Sequence, residues 1–593
     1  AVIRLQQGNV QEAESILRNI ISSSVPHLSS EVELWRLLYA HYGKVDDARQ
    51  GLQALLQTNE AALSNYDAGR AWRYLAEIAE AGKDSAGAIA AMEKSLQKDP
   101  LNHANSFYVG RLFMDSGDFI KAEQQFGRAS SLSPNTPEYL IFRGQALREL
   151  GKNDDALGEL TKGLEKAPGN VKGLYQLGLV QRALGRIDDA IASFENALKN
   201  DPRHVDSMIA VGELYLKKDN FSMANTQLRA AIALVPTNPK AHNALGEVFL
   251  VTRKPAEALA ELKLAEREDI QNATILTNLG RAHLALGHIQ DASNHFQKAL
   301  SVDSTRIDTQ VALGELQHKQ KEYTKALETY RRVLETQPKD FDTRVKLATV
   351  LIDQQSYQEA VTELQEASKY GPNYYPIHLH LGVAWRGIGN LDSSFEELQR
   401  AIQLRPSDAE GHYQLEVTLI FRNDPIGAEK AMDAALAADP KFIAPLMALG
   451  DYFDSRNLYP KAAEYYLRAE KTEPRNGEIL LKLANSYMRD GNSKRAKTYF
   501  QKTLQVNKKS ADSYVGLGLI AEEEKERQAA TNYYRQAQSV DPNDPRPYYY
   551  LGFIYREANQ KQAAILAFKK YLKLDPQSKE REDIEDQIYS LTH

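Results

Sequence analysis

The sequence predicts an all-α solenoid of stacked helix–turn–helix units, and three residue combs predict it. Glycine recurs every 34 residues at Gly110, Gly144, Gly178, Gly212, Gly246, Gly280 and Gly314. The same stride continues through Ala348, Gly382, Glu416, Gly450, Ala484, Gly518 and Gly552, and one step back to Ala76. Shifted by 12 residues, it meets alanine at fourteen of fifteen positions from Ala88 to Ala564, Ser394 being the exception. Shifted by 24, it meets proline at twelve of fifteen positions from Pro100 to Pro576. A fixed stride of this length marks an array in which each unit buries its apolar face against the next. Length alone would have given about four globular domains; the combs replace that count with one repetitive chain.

Each unit reads as two helices. In residues 171–204, Leu174, Leu177, Gly178 and Gln181 fall at i, i+3, i+4, i+7, one face of a first helix. Gly185 breaks it. Ala190, Phe194 and Ala197 mark the inner face of a second helix, which Pro202 ends. The residue before the first helix is often a good N-cap, as at Asn102, Asn170, Asp340, Asp408 and Asp544. Glycine on one helix opposite alanine on the other lets the two backbones approach closely.

The regular array spans residues 69–578, fifteen contiguous 34-residue units. Residues 29–68 read as an irregular unit with Trp35, Tyr39, Ala48 and Leu52, followed by a short insertion around Leu63–Ala68. Residues 1–28 read as a partial N-terminal repeat, with Gly8, Ala13 and Leu17 in its turn and second helix. Ala1 would then lie inside a first helix, and the chain is expected to be a fragment of a longer one. Residues 579–593 read as a polar capping helix with Ile584, Ile588 and Leu591 as its apolar stripe.

Composition narrows the function. Lys and Arg total 73 against 79 Asp and Glu, a formal charge of −6, which argues against general nucleic-acid binding. With 42% hydrophobic and 26% charged residues the chain has a folded composition. No apolar run approaches 18 residues, so no membrane insertion is expected. Zero cysteine excludes thiol nucleophiles, Cys-ligated zinc and iron–sulfur clusters, and it favours a bacterial periplasmic or envelope setting over the cytoplasm.

A large–x2–Leu–Gly–x2–Tyr…Ala…Phe…Ala…Pro unit of 34 residues resembles the tetratricopeptide repeat. Trp72, Leu75, Ala88 and Pro100 fit it, as do Met208, Gly212, Tyr215, Ala224 and Pro236, and Tyr548, Leu551, Gly552, Tyr555, Ala564, Phe568 and Pro576. The resemblance implies a right-handed superhelical solenoid with a concave wall that binds proteins or peptides. It places unit positions 2, 5, 9 and 12 on that wall. Position 5 is apolar or aromatic in twelve of fifteen units, Tyr175 among them. Leu379, Val383, Tyr413, Val417, Ile420 and Met447 form a candidate partner-binding strip flanked by Arg386. Tyr549, Phe553 and Arg556 form a second.

Known grooves of the family do not carry over. The clamp for a chaperone's C-terminal carboxylate needs lysine at position 5 and asparagine at position 9; here the only cation at position 5 is Arg73, with Glu77 at position 9. The asparagine ladder of O-GlcNAc transferase would fall at position 6, where only Asn278 stands.

Catalytic, cofactor and metal sites are not expected. His242, His378 and His412 fall at position 4 and His283 at position 11, slots for core side chains. His378 and His380 are two apart, so their rings point to different sides of the helix. No HExxH, GxSxG or Walker A motif occurs. Gly144…Gly151-Lys152-Asn153 and Gly516-Leu517-Gly518 only superficially resemble nucleotide loops, since their glycines belong to the combs and turns. The run Glu522–Glu526 reads as a solvated face. Glu416, in a slot that wants glycine, is expected to extend past the interface to solvent, because an unpaired buried carboxylate costs several kcal/mol. The sharper alternative is a loosened helix pair there.

The expected function is a non-enzymatic interaction scaffold holding a protein or peptide partner in its groove, plausible in assembly of a bacterial multiprotein complex. The alternative is the docking or regulatory portion of a larger enzyme, signalling or envelope-export protein. Self-association is a third option.

Overall fold

The computed structural model describes residue 4, residues 7–23 and residues 27–593. The first-helix segment expected to run through Ala1 lies mostly outside the described residues. Among the described residues the regular structure is entirely helical, in 34 α-helices and one 3₁₀ turn at Glu60–Ala62. None of these helices is long and apolar enough to cross a membrane.

By internal contacts the chain forms two compact units, Ala1–Thr309 and Gln310–His593. Each is a run of antiparallel hairpins, such as Val171–Ala183 with Ile187–Asn200 in the first and Ala511–Glu523 with Arg527–Val540 in the second. The combs are explained by contacts inside each hairpin. Sixteen residues after each glycine stands one bulky knob, such as Phe126, Phe194, Phe296, Tyr466, Tyr534 or Phe568, each 2% exposed or less. A Cβ on Gly518 would stand 2.4 Å from a Tyr534 ring carbon, and one on Gly382 would stand 2.4 Å from Leu398 Cγ. The glycine is therefore the socket for the knob, and its cost in helix propensity, about 1 kcal/mol, is offset by burying a whole ring. The alanines and Ser394 are fully buried.

Caps and turns follow the same stride. Asn102, Asn170, Asp340 and Asn476 each accept a backbone N–H of the helix they precede. Between the two helices of the regular hairpins a single residue takes positive φ, glycine at Gly185 and Gly287 but Lys83, Arg253 and Asn559 elsewhere.

Helix Asn65–Ala81 is 17 residues long. Ser64 caps it and Ala68 is buried within it, so part of the Leu63–Ala68 insertion is extra helical turn rather than loop. At the other end, helix Arg581–Thr592 lays Ile584, Ile588 and Leu591 against Phe568 and Tyr571.

Candidate functional site

The strip nominated on the second unit is split by the structure. Helix Ala409–Phe421 turns Tyr413, Val417 and Ile420 towards helix Ala444–Ser455, where Met447 lies, and these four line one open groove of about 750 Å³. Positions 413, 417 and 420 are spaced i, i+4, i+7, so one helix face supplies one wall. Lys441, Phe442, Ile443, Ala448 and Tyr452 complete the floor and far wall, and Asp451, Glu473 and Glu478 reach it as acids. The Tyr413 and Phe442 rings meet edge to face with centroids 5.4 Å apart. Burial raises the Tyr413 hydroxyl pKa, with Glu416 and Glu410 adding to the rise, so it remains a neutral hydrogen-bonding group. Asp451 is partly engaged, accepting from the Tyr466 hydroxyl and Lys482 Nζ, both at 2.6 Å.

The other nominated residues go elsewhere. Leu379 and Val383 are half-buried on helix Tyr375–Ile388 and do not line the groove. Arg386 turns into the fold. Its guanidinium donates to the Gln414 carbonyl at 3.0 Å, to Gln414 Oε1 at 2.6 Å and to Thr418 Oγ1 at 3.1 Å. Burial lowers its pKa. Thr418 Oγ1 lies 2.9 Å from Ser394 Oγ, which donates to the Gly382 carbonyl at 2.7 Å. Ser394 thus departs from alanine to join a buried polar chain ending on Arg386. Tyr175 packs on Phe194 and His204.

The second strip is covered. Tyr549 and Phe553 pack into an aromatic cluster with Tyr571 and Phe568, closed by Ile584 and Ile588 of helix Arg581–Thr592. Arg556 donates to Gln587 of the same helix and lies over the Phe553 ring. These three residues hold the terminal helix.

Glu416 overturns the solvent-facing expectation. It is fully buried, and neither carboxylate oxygen finds a hydrogen-bond partner. Desolvation pushes its pKa up to about 9, so the proton stays on at neutral pH. The repeat register makes room for it: sixteen residues on, where thirteen of the other fourteen units carry a ring or leucine, stands unbranched Met432. Ala76 likewise faces Met92 in register.

The position-4 histidines are braces. His242 Nε2 meets the Pro236 carbonyl at 2.9 Å and its Nδ1 meets Glu261 at 2.6 Å. His378 repeats both contacts, with Pro372 and Glu397. His412 keeps only the carbonyl contact, to Pro406 at 2.9 Å; nineteen residues on, its carboxylate slot is Ala431.

Phe442 and Tyr452 are the aromatic groove residues that sequence reasoning missed. A signal existed for Phe442: it occupies the slot that in eight other units holds Asn or Asp.

The model of the tetratricopeptide repeat matches residues 37–103, 110–171, 345–409, 419–477 and 481–545, more than half of the chain. The chain belongs to the tetratricopeptide repeat family. Related tetratricopeptide repeat models match residues 181–248 and 545–578, and the model of anaphase-promoting complex, cyclosome, subunit 3 matches residues 286–367. This tetratricopeptide repeat protein is 24% identical to Protein CTR9 homolog of Arabidopsis thaliana over 240 residues, 39% of this chain and 22% of that protein. It is 31% identical to anaphase-promoting complex subunit 3 of Dictyostelium discoideum over 113 residues, 19% of this chain and 12% of that protein. The chain therefore spans less than a quarter of either relative. Among solved structures, Naa15/Naa10 bound to HypK-THB matches with a TM-score of 0.39 and 15% identity, covering 99% of this chain and 98% of that one.

Proposed function

We propose that this repeat protein is a non-catalytic interaction scaffold, and that the groove between helices Ala409–Phe421 and Ala444–Ser455 holds a peptide segment of a partner protein. The observation that carries the reading is the groove itself: Tyr413, Val417, Ile420, Phe442 and Met447 offer an apolar surface, and three acids against one lysine border it. An apolar segment flanked by Lys or Arg fits that charge pattern. Membership in a complex is supported by the relatives, one of which is by name a subunit of the anaphase-promoting complex. The bacterial setting rests only on the missing cysteines. We also place the array boundaries at residues 69–578, with residues 579–593 as its cap.

The test is selection from a displayed library of short peptides. Selected peptides should combine apolar residues with Lys or Arg. Their affinity should fall at least about tenfold for Val417→Asp and for Met447→Asp, a loss typical of truncating a central interface contact, with helicity unchanged. Acidic selected peptides, or binding indifferent to both substitutions, would overturn the reading.

A further inference from the structure

The first unit carries a cluster of chemistry-bearing side chains unrelated to the groove. His283 lies near the end of helix Ala273–Ala285, and His288 and Asp291 lie at the start of helix Ile289–Val302. Gly287 between the helices takes φ +77°. That tight turn, closed by His288 N–H on the His283 carbonyl at 2.9 Å, fixes the two imidazoles beside each other. His283 Nδ1 lies 3.3 Å from His288 Nδ1 and 3.7 Å from Asp291 Oδ2. All three donor atoms lie within 4.8 Å of one another.

We propose that His283, His288 and Asp291 form a binding site for a divalent transition-metal ion of the zinc type. A tetrahedral ion about 2.0–2.1 Å from each donor holds its donors about 3.3–3.4 Å apart, against 3.3 and 3.7 Å for the two spacings from His283. Two imidazoles and a carboxylate suit a borderline-soft cation rather than calcium or magnesium. Three protein ligands leave one position for water or for a donor from a partner.

The surroundings fit the assignment. His288 is the N-cap residue of its helix, yet its side chain makes no capping hydrogen bond and faces His283 instead. His295 stacks on the His283 ring, with centroids 5.1 Å apart and an interplanar angle of 18°. Its Nδ1 donates to the Asp291 carbonyl at 2.8 Å, so it buttresses the cluster without joining it. The combination belongs to one unit: of the fifteen units of the array, only this one has histidine at both the 283 and the 288 slots. Equivalent positions to His283 carry Phe113, Phe249 and Phe453, so phenylalanine is compatible with the hairpin.

The experiment titrates the purified full chain with zinc chloride against a metallochromic chelator, with cobalt(II) absorption as a second readout of tetrahedral coordination. The chain has 13 histidines, so variants carry the assignment. One zinc ion per chain is expected. His283→Phe, His288→Ala and Asp291→Ala should each lower affinity at least about tenfold, since even outer-shell changes cost that much, while His41→Ala, at an exposed histidine outside the cluster, should leave it unchanged. No stoichiometric binding to the natural chain, or an affinity that His283→Phe and His288→Ala leave intact, would overturn the site and leave the contact an ordinary imidazole hydrogen bond.

Discussion

The hairpins at residues 511–540 and 409–438 share one frame and solve the same contact in opposite ways. In the first, Gly518 leaves room for the buried Tyr534 ring, with 2.4 Å between a would-be Cβ and the ring. In the second, Glu416 fills the socket and Met432 takes the place of the ring. The small residue of the comb is therefore a condition on a pair. A ring is matched by glycine or at most alanine, as Phe500 is by Ala484 in register, while the larger Glu416 coincides with an unbranched thioether. What the pair at 416 does not solve is polarity, because the carboxyl is buried without a partner.

The largest expected effect breaks the tight hairpin. Gly518→Leu should cost about 3 kcal/mol through overpacking against Tyr534, read as faster hydrogen exchange across residues 511–540. Unchanged exchange would mean that the socket is not what fixes the comb.

The reverse change sharpens the loose hairpin. Glu416→Met removes a buried polar group that lacks partners and should stabilise residues 409–438 by about 1–3 kcal/mol, seen as slower exchange there. The same residue gives a pH test. Its folded-state pKa is raised from 4.5 to about 9, so the folded form holds a proton that the unfolded form releases. Its stabilising contribution is complete below about pH 4.5 and is lost as pH rises through about 9. The natural chain should thus lose stability relative to Glu416→Met between these values, and parallel profiles would refute a buried carboxyl.

The smallest effects compare braces. His378→Ala should cost about 1–2 kcal/mol by freeing both the Pro372 carbonyl and Glu397. His412→Ala, with one contact to lose, should cost under about 1 kcal/mol. Equal melting temperatures for the two variants would remove the brace as an explanation of these histidines.

The helices and their pairing were legible because the combs repeat fifteen times, and a packing rule that recurs at one stride needs no knowledge of distant contacts. The site was legible only along a single helix. Tyr413, Val417 and Ile420 share a face by spacing alone, whereas Phe442 and Tyr452 reach the groove from the following loop and helix. Tyr549 and Phe553 look like wall residues until helix Arg581–Thr592 is laid over them. Glu416 was misread because its fate depends on a residue sixteen places away, and the His283 cluster was missed because a turn, not a helical period, brings its members together.

The hairpins follow one another along the chain at a constant stride, so a pull on its two ends loads them in series. Each hairpin that opens yields 34 residues, about 110–120 Å of contour at full extension. Such a chain gives way in even steps rather than in one rupture. The Glu416 carboxyl, buried without a partner, weakens the pair that holds it, and Glu416→Met would raise the force at which that step yields.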